Sequence, residues 1–145
     1  MLSYLAGSAP IKVNADSLSM PDSRFRNDDN LQIMLRFANG SVGTINYIAS
    51  GNKLVSKEYL EIFGGGVAMQ MDDFRTLTIA DSKGLTIDKI KSQDKGHKDM
   101  LKAWAEALTA QKSSPIPFGE IITSTRATFE IITALEKGTS QWMRD

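Results

Sequence analysis

The sequence predicts an α+β fold: a largely antiparallel open sheet with helices packed on one face and the other face available for association. Three observations carry this. Residues 31–50, LQIMLRFANGSVGTINYIAS, are two alternating apolar and polar runs joined by Asn39-Gly40, the strongest short-range hairpin signal. Further short alternating runs follow to residue 90, separated by turn-forming residues, which reads as a meander. After His97 the apolar residues recur at helical spacing. Strands first and helices last place the helices together on one side of an antiparallel sheet.

Taken in order, residues 2–6 read as the last turn of a helix, with Gly7 at the left-handed cap and Pro10 shortly beyond. A helix that is all ending predicts a chain cut from something longer. Residues 11–18 alternate Ile11, Val13 and Ala15 against Lys12, Asn14 and Asp16, a strand, and residues 19–30 are a charged loop. With Asn39-Gly40 as a two-residue turn, Phe37 pairs with Val42, Leu35 with Thr44, Ile33 with Asn46 and Leu31 with Ile48 on an apolar face. The opposite face then carries Gln32, Met34, Arg36, Ile45 and Tyr47. That set is too apolar for bare solvent and too polar for a core, so it is the predicted interface.

Ser50-Gly51-Asn52-Lys53 breaks the pattern, and residues 58–63 resume it up to Gly64-Gly65-Gly66. Strands at 67–71, 74–79 and 85–90 follow, separated by Asp72-Asp73 and by Asp81-Ser82-Lys83-Gly84. Helices are predicted over 97–111, with Leu101, Trp104, Ala105 and Leu108 apolar, and over 120–137, with Ile121, Ile122, Phe129, Ile132 and Leu135 apolar. Pro115-Ile116-Pro117 links them, Gly138 caps the second, and Trp104 and Phe129 are expected in the core.

At 145 residues the chain fits a single globular domain, residues 1–145. Lys plus Arg and Asp plus Glu number 17 each, so no electrostatic footprint points to nucleic acid or to an anionic membrane. The absence of cysteine excludes disulfides, thiolate metal sites and a cysteine nucleophile, and a cytoplasmic location fits. No apolar run approaches the ~20 residues needed to cross a bilayer, and the first residues lack the basic start of a signal peptide.

Few residues invite chemistry. Gly64-Gly65-Gly66 is followed by a strand and by no Lys-Ser/Thr pair, so it reads as a tight turn or bulge rather than a phosphate loop. His97 is the only histidine and sits at the mouth of a helix in Gln93-Asp94-Lys95-Gly96-His97, which argues against a metal site. Asp94 there caps the first turn through the N–H of Gly96 or His97, while Lys95 and His97 either are solvated or offer donors to a polar or anionic ligand. Ser50, Asn52 and Lys53 end a strand where a loop presents polar groups to a cleft. Asp72-Asp73 is a turn, Arg126 a surface or interdomain ion pair, and no catalytic triad or carboxylate pair emerges from spacing.

The order of these motifs is itself informative. The run Asp29-Asn30-Leu31-Gln32-Ile33 through Phe37-Ala38-Asn39-Gly40-Ser41-Val42-Gly43-Thr44-Ile45, then Leu60-Glu61-Ile62-Phe63-Gly64-Gly65-Gly66, resembles the C-terminal domain of the glucose-fructose oxidoreductase and myo-inositol dehydrogenase (Gfo/Idh/MocA) family. The helix through Met100 to Leu108, the Pro115-Ile116-Pro117 link and the helix through Thr125-Arg126-Ala127 continue the likeness, and Leu2-Ser3-Tyr4-Leu5-Ala6-Gly7-Ser8 is similar to the end of the helix that leads into that domain. Gln93-Asp94-Lys95-Gly96-His97 resembles a subgroup in which this unit is the tail of a larger, two-part dehydrogenase.

The resemblance implies an NAD(P)-dependent oxidoreductase acting on a sugar, polyol or related alcohol, with the cofactor bound by an upstream Rossmann domain. The family's Glu-Lys-Pro lysine and its catalytic histidine or aspartate have no counterpart in this sequence, and His97 does not replace that histidine. The implied role is a substrate-side and oligomerisation domain, catalytically silent alone and with no cofactor of its own. Lys53, Lys95 and His97 are then the candidate contacts to a small-molecule substrate, and the open sheet face is the candidate contact in a homo-oligomer. The competing readings are a non-enzymatic self-association or partner-binding module and a stand-alone small-molecule binding domain.

Overall fold

The computed structural model describes residues 1–18, 24 and 26–143, and the chain separates into two compact units, Met1–Ser50 with Lys112–Asp145, and Gly51–Gln111. The fold is α+β: the described residues form eight strands in two antiparallel four-stranded sheets, with three α-helices.

In the first unit, α1 (Leu2–Ala6) ends as its sequence predicts. Gly7 is left-handed at φ 59, its N–H donates to Tyr4 O, and the Ser8 N–H donates to Ser3 O. Strands β1 (Pro10–Ser17), β2 (Asn30–Phe37), β3 (Val42–Ile48) and β8 (Gln141–Trp142) form one sheet in the order β3-β2-β1-β8. The predicted loop at 19–30 lies in part outside the described residues. Its described end is a 3₁₀ turn, Asn27–Asp29, where Asp29 accepts from the Arg26 N–H at 3.0 Å and Arg26 pairs with Asp28 at 2.9 Å.

The hairpin forms, but one residue out of the predicted register. Leu35 faces Gly43, Ile33 faces Ile45 and Leu31 faces Tyr47, while Arg36, Met34 and Gln32 face Val42, Thr44 and Asn46. A two-residue turn of the favoured hairpin type needs positive φ at both central residues, and here only Gly40 has it, at φ 89. The loop instead spans Ala38, Asn39 and Gly40: the Gly40 N–H donates to Phe37 O at 3.0 Å and the Phe37 N–H to Ser41 O at 2.9 Å. Asn39 is occupied by tertiary contacts, its Nδ2 donating to Ala6 O at 2.8 Å and its N–H to Ser8 Oγ at 3.2 Å.

Because side chains alternate, this slip changes the composition of each face. Ile45 and Tyr47, expected beside Gln32, Met34 and Arg36, lie across from Ile33 and Leu31 on the core side. The core consists of Val13, Leu31, Ile33, Leu35 and Phe37, with Leu2, Ala6, Ala15, Ile131, Leu135 and Met143 packed against it. Helix α3 (Phe118–Lys137) packs on β1 and β8. Its packed side carries the buried Ala127 and Ala134 together with Ile131 and Leu135, so Phe129, expected in the core, is on the other side and exposed. The hydroxyls of Thr123, Ser124 and Thr125 are spent on carbonyls one turn back.

The second unit is a meander, β4 (Tyr59–Gly64), β5 (Val67–Asp72), β6 (Thr76–Asp81) and β7 (Gly84–Lys89), followed by α2 (His97–Thr109). The glycine cluster is the predicted tight turn. Gly64 pairs with Val67, and Gly65 and Gly66, at φ 57 and 79, supply the two positive φ values that Asn39-Gly40 does not. Leu60, Ile62, Met69, Met71, Leu77 and Ile79 share one face of this sheet and are half-buried. Among the described residues every buried side chain belongs to the first unit, so Trp104 of α2, expected in the core, remains 48% exposed.

Candidate functional site

The three predicted substrate contacts all fall in the second unit. Lys53 is exposed in the loop that precedes β4, at the centre of the Asx turn in which Asn52 Oδ1 accepts from the Leu54 N–H at 2.9 Å. Among the described residues, no hydrogen bond or ion pair joins Lys53 to Lys95 or His97. Lys95 and His97 flank Gly96 at the mouth of α2, and the predicted bond of Asp94 forms, its Oδ1 accepting from the Gly96 N–H at 2.8 Å, but it closes a turn ahead of the helix and does not cap it. Gly96, left-handed at φ 73, is the N-cap and leaves the first turn without a side-chain cap. The chain turns there because only glycine adopts that conformation at low cost.

No spacing rule predicts the partner that Lys95 finds. Its Nζ donates to Glu58 Oε1 at 2.9 Å and sits 5.7 Å from the centre of the Phe74 ring. The hydrogen bond from Lys95, reinforced by the charges of Lys95 and Lys57 and opposed by desolvation, holds the Glu58 carboxyl below its ordinary range. Gln93 Nε2 donates to Asp73 Oδ1 at 2.7 Å, and Asp73 in turn donates its backbone N–H to Glu58 O at 2.7 Å. Asp73 and Phe74 hold this turn in the left-handed region, at φ 51 and 50. On the opposite sheet face Glu61 accepts from Tyr59 Oη at 3.0 Å and from Gln70 Nε2 at 2.9 Å, and the first bond raises the Tyr59 pKa.

The second surface is the outer face of the first sheet, where the pairing aligns Lys12 with Arg36, Asn14 with Met34 and Asp16 with Gln32. A shallow depression of about 450 Å³ is centred on Asn14, Asp16, Gln32, Met34, Thr44 and Asn46. Trp142, opposite Lys12, extends this face, and the Lys12 Nζ lies 5.0 Å over its ring. Ser140 Oγ hydrogen-bonds Asn14 Oδ1 at the same edge. The short strand β8 that brings Trp142 here carries no alternation long enough to announce itself in the sequence. A further depression of about 400 Å³ lies between the end of α1 and the start of α3, lined by Tyr4, Ser8, Glu120 and Thr123 among others.

Among the described residues no group of three or more His, Cys, Asp or Glu is placed to hold a metal, and no helix is long and apolar enough to cross a membrane. Ser50, predicted to face a cleft, donates its N–H and its Oγ to Asn30 Oδ1, at 3.1 and 2.8 Å.

No protein-family model matches the sequence, and no curated protein does. Solved structures do. The fold is that of a part of oxidoreductases of the Gfo/Idh/MocA type, the class that the order of motifs implies. An oxidoreductase from Agrobacterium radiobacter in complex with NAD+, L-tartaric acid and magnesium superposes with TM-score 0.79 at 12% identity, over 97% of this chain and 45% of that one. An aldose-aldose oxidoreductase from Caulobacter crescentus, complexed with glycerol, gives 0.79 at 15% identity, over 98% of this chain and 44% of that one. A levoglucosan dehydrogenase in complex with NADH and levoglucosan gives 0.75 at 18% identity, over 99% and 47%. The chain therefore spans a little under half the length of the structures it matches.

Proposed function

We propose that the chain is the C-terminal, substrate-side and oligomerisation domain of an NAD(P)-dependent oxidoreductase that acts on a sugar, polyol or related alcohol. The observation that carries this is the asymmetry of coverage: nearly all of this chain overlays less than half of each oxidoreductase. Hydride transfer needs a cofactor held at the reacting carbon. In this reading an upstream Rossmann domain holds the NAD(P), and the present chain, silent alone, supplies one wall of the substrate cleft. Lys53, Lys95 and His97 donate hydrogen bonds to substrate hydroxyls or to an anionic group. The outer face of the first sheet, centred on Gln32, Met34 and Arg36, meets a second copy. Ile45 and Tyr47 leave that proposed set, because the register puts them on the other side.

The test is the coding sequence directly upstream followed by turnover of the intact parent. A glycine-rich strand-turn-helix and a Glu-Lys-Pro upstream, with KM raised about tenfold or more in Lys95→Ala and His97→Ala, are expected for lost charge-assisted bonds. Unchanged kinetics would remove both residues from the site, and an upstream region without a nucleotide-binding pattern would remove the reading.

A second reading, a self-association module with no enzymatic parent, is favoured by the outer face alone, where Met34 and Trp142 are 44% and 61% exposed among polar neighbours. It requires a dimer and no upstream nucleotide-binding half.

A further inference from the structure

We propose that Glu58 is a positioning residue: with Lys95 it latches the segment between β7 and α2 onto the start of β4, beside the turn that precedes β6, and so fixes where His97 is presented. The functional part of this rests on the reading of Lys95 and His97 as ligand contacts, while the latch itself stands on geometry.

Residues 90–96 run from the end of β7 to the N-cap of α2 and are tied down along their length. The Ile90 N–H donates to Arg75 O at 2.9 Å, Gln93 Nε2 to Asp73 Oδ1 at 2.7 Å and Lys95 Nζ to Glu58 Oε1 at 2.9 Å, with the Phe74 ring beneath the ammonium. The anchoring side is itself braced, since the Asp73 N–H donates to Glu58 O and the Asp73 carboxylate pairs loosely with Arg75 at 3.8 Å. Glu58 and Lys95 are about one-third exposed, 35% and 31%, so the pair is partly shielded from solvent. Beyond Lys95 the chain turns at left-handed Gly96 and α2 begins at His97 with no side-chain cap. The links just described, rather than a cap, therefore set the position of the helix mouth. One Lys95 donor is committed to Glu58, and the ammonium retains two for a ligand.

Because His97 is the only histidine, its imidazole signals report the helix mouth without ambiguity in the 145-residue chain. Glu58→Gln keeps the shape of the side chain and removes its charge. The expected result is shifted His97 ring resonances and amide exchange over residues 93–99 faster by about threefold or more, with exchange in β1 and β2 unchanged. The double variant Glu58→Lys with Lys95→Glu should return exchange toward wild type. As a measurement free of any variant, raising KCl in the wild-type chain should loosen the same residues while exchange in β1 and β2 stays unchanged. Wild-type resonances and exchange in Glu58→Gln, or a salt response absent from 93–99, overturns the latch. In the intact parent, a latch that passes these tests beside an unaffected KM in His97→Ala would instead overturn the assignment of His97 as a ligand contact.

Discussion

At Asn30 a buried amide organises the end of the central hairpin. It is 1% exposed, and its Oδ1 accepts from both the N–H and the hydroxyl of Ser50. Replacing it by alanine removes the acceptor of both bonds, but Ser50 is exposed and its donors can turn to water, so Asn30→Ala should cost about 1 kcal/mol, read as a lower urea midpoint at unchanged slope. The glycine at the hairpin tip acts through backbone rather than hydrogen bonding. Gly40 stands at φ 89, and Gly40→Val should cost about 1–2 kcal/mol, seen as a fall in Tm. Glu58 carries a pH dependence whose sign follows from its lowered pKa. Ionised Glu58 is favoured in the folded state, so its contribution is present above its ordinary value of 4.5 and is lost as pH falls through the lowered one. For a pair this exposed the amount is below about 1 kcal/mol, and the difference in stability between wild type and Glu58→Gln should vanish in acid.

Between elements, small residues decide what packs. Gly43 of β3 lies beneath α1, where an added Cβ would stand 3.2 Å from Leu2 Cδ1 and 3.3 Å from Phe37 Cε2. Gly43→Val should therefore overpack this contact and destabilise by about 1–3 kcal/mol, measured by chemical denaturation. The same logic explains α3. Its apolar residues form two stripes, and the one with Ala127 and Ala134 lets the helix approach β1, which leaves Phe118, Phe129 and Ile132 exposed on the other. Sequence periodicity marks both stripes as apolar and ranks the larger side chains first. Periodicity therefore places Phe129 inside and passes over Ala134, which is fully buried.

For the molecule as a whole, the testable surface is the outer face of the first sheet. If it is the contact between copies, Met34→Asp should convert a sedimenting dimer to monomer while leaving the unfolding transition near wild type, because Met34 is not part of the core. A monomeric wild-type chain would remove this role. Tyr47→Glu, a substitution suggested by the expected register, should be a poor probe of the same face, since Tyr47 sits across the sheet from it.

Much of this architecture is legible from local chemistry alone. Alternation marks β1 to β7, the helical period marks α2 and α3, and Gly7, Gly65-Gly66, Gly96 and Gly138 mark turns and caps because left-handed backbone costs glycine little. The remainder rests on contacts between residues far apart in the chain. Asn39 is held by Ala6 and Ser8, more than thirty positions away, and this shifts the hairpin by one residue and moves Ile45 and Tyr47 to the core side. Lys95 is held by Glu58 across 37 positions, which no spacing rule connects. Periodicity reports which side chains share a face; which face is covered, and which donor an acceptor meets, depends on groups that come close only after the chain has folded.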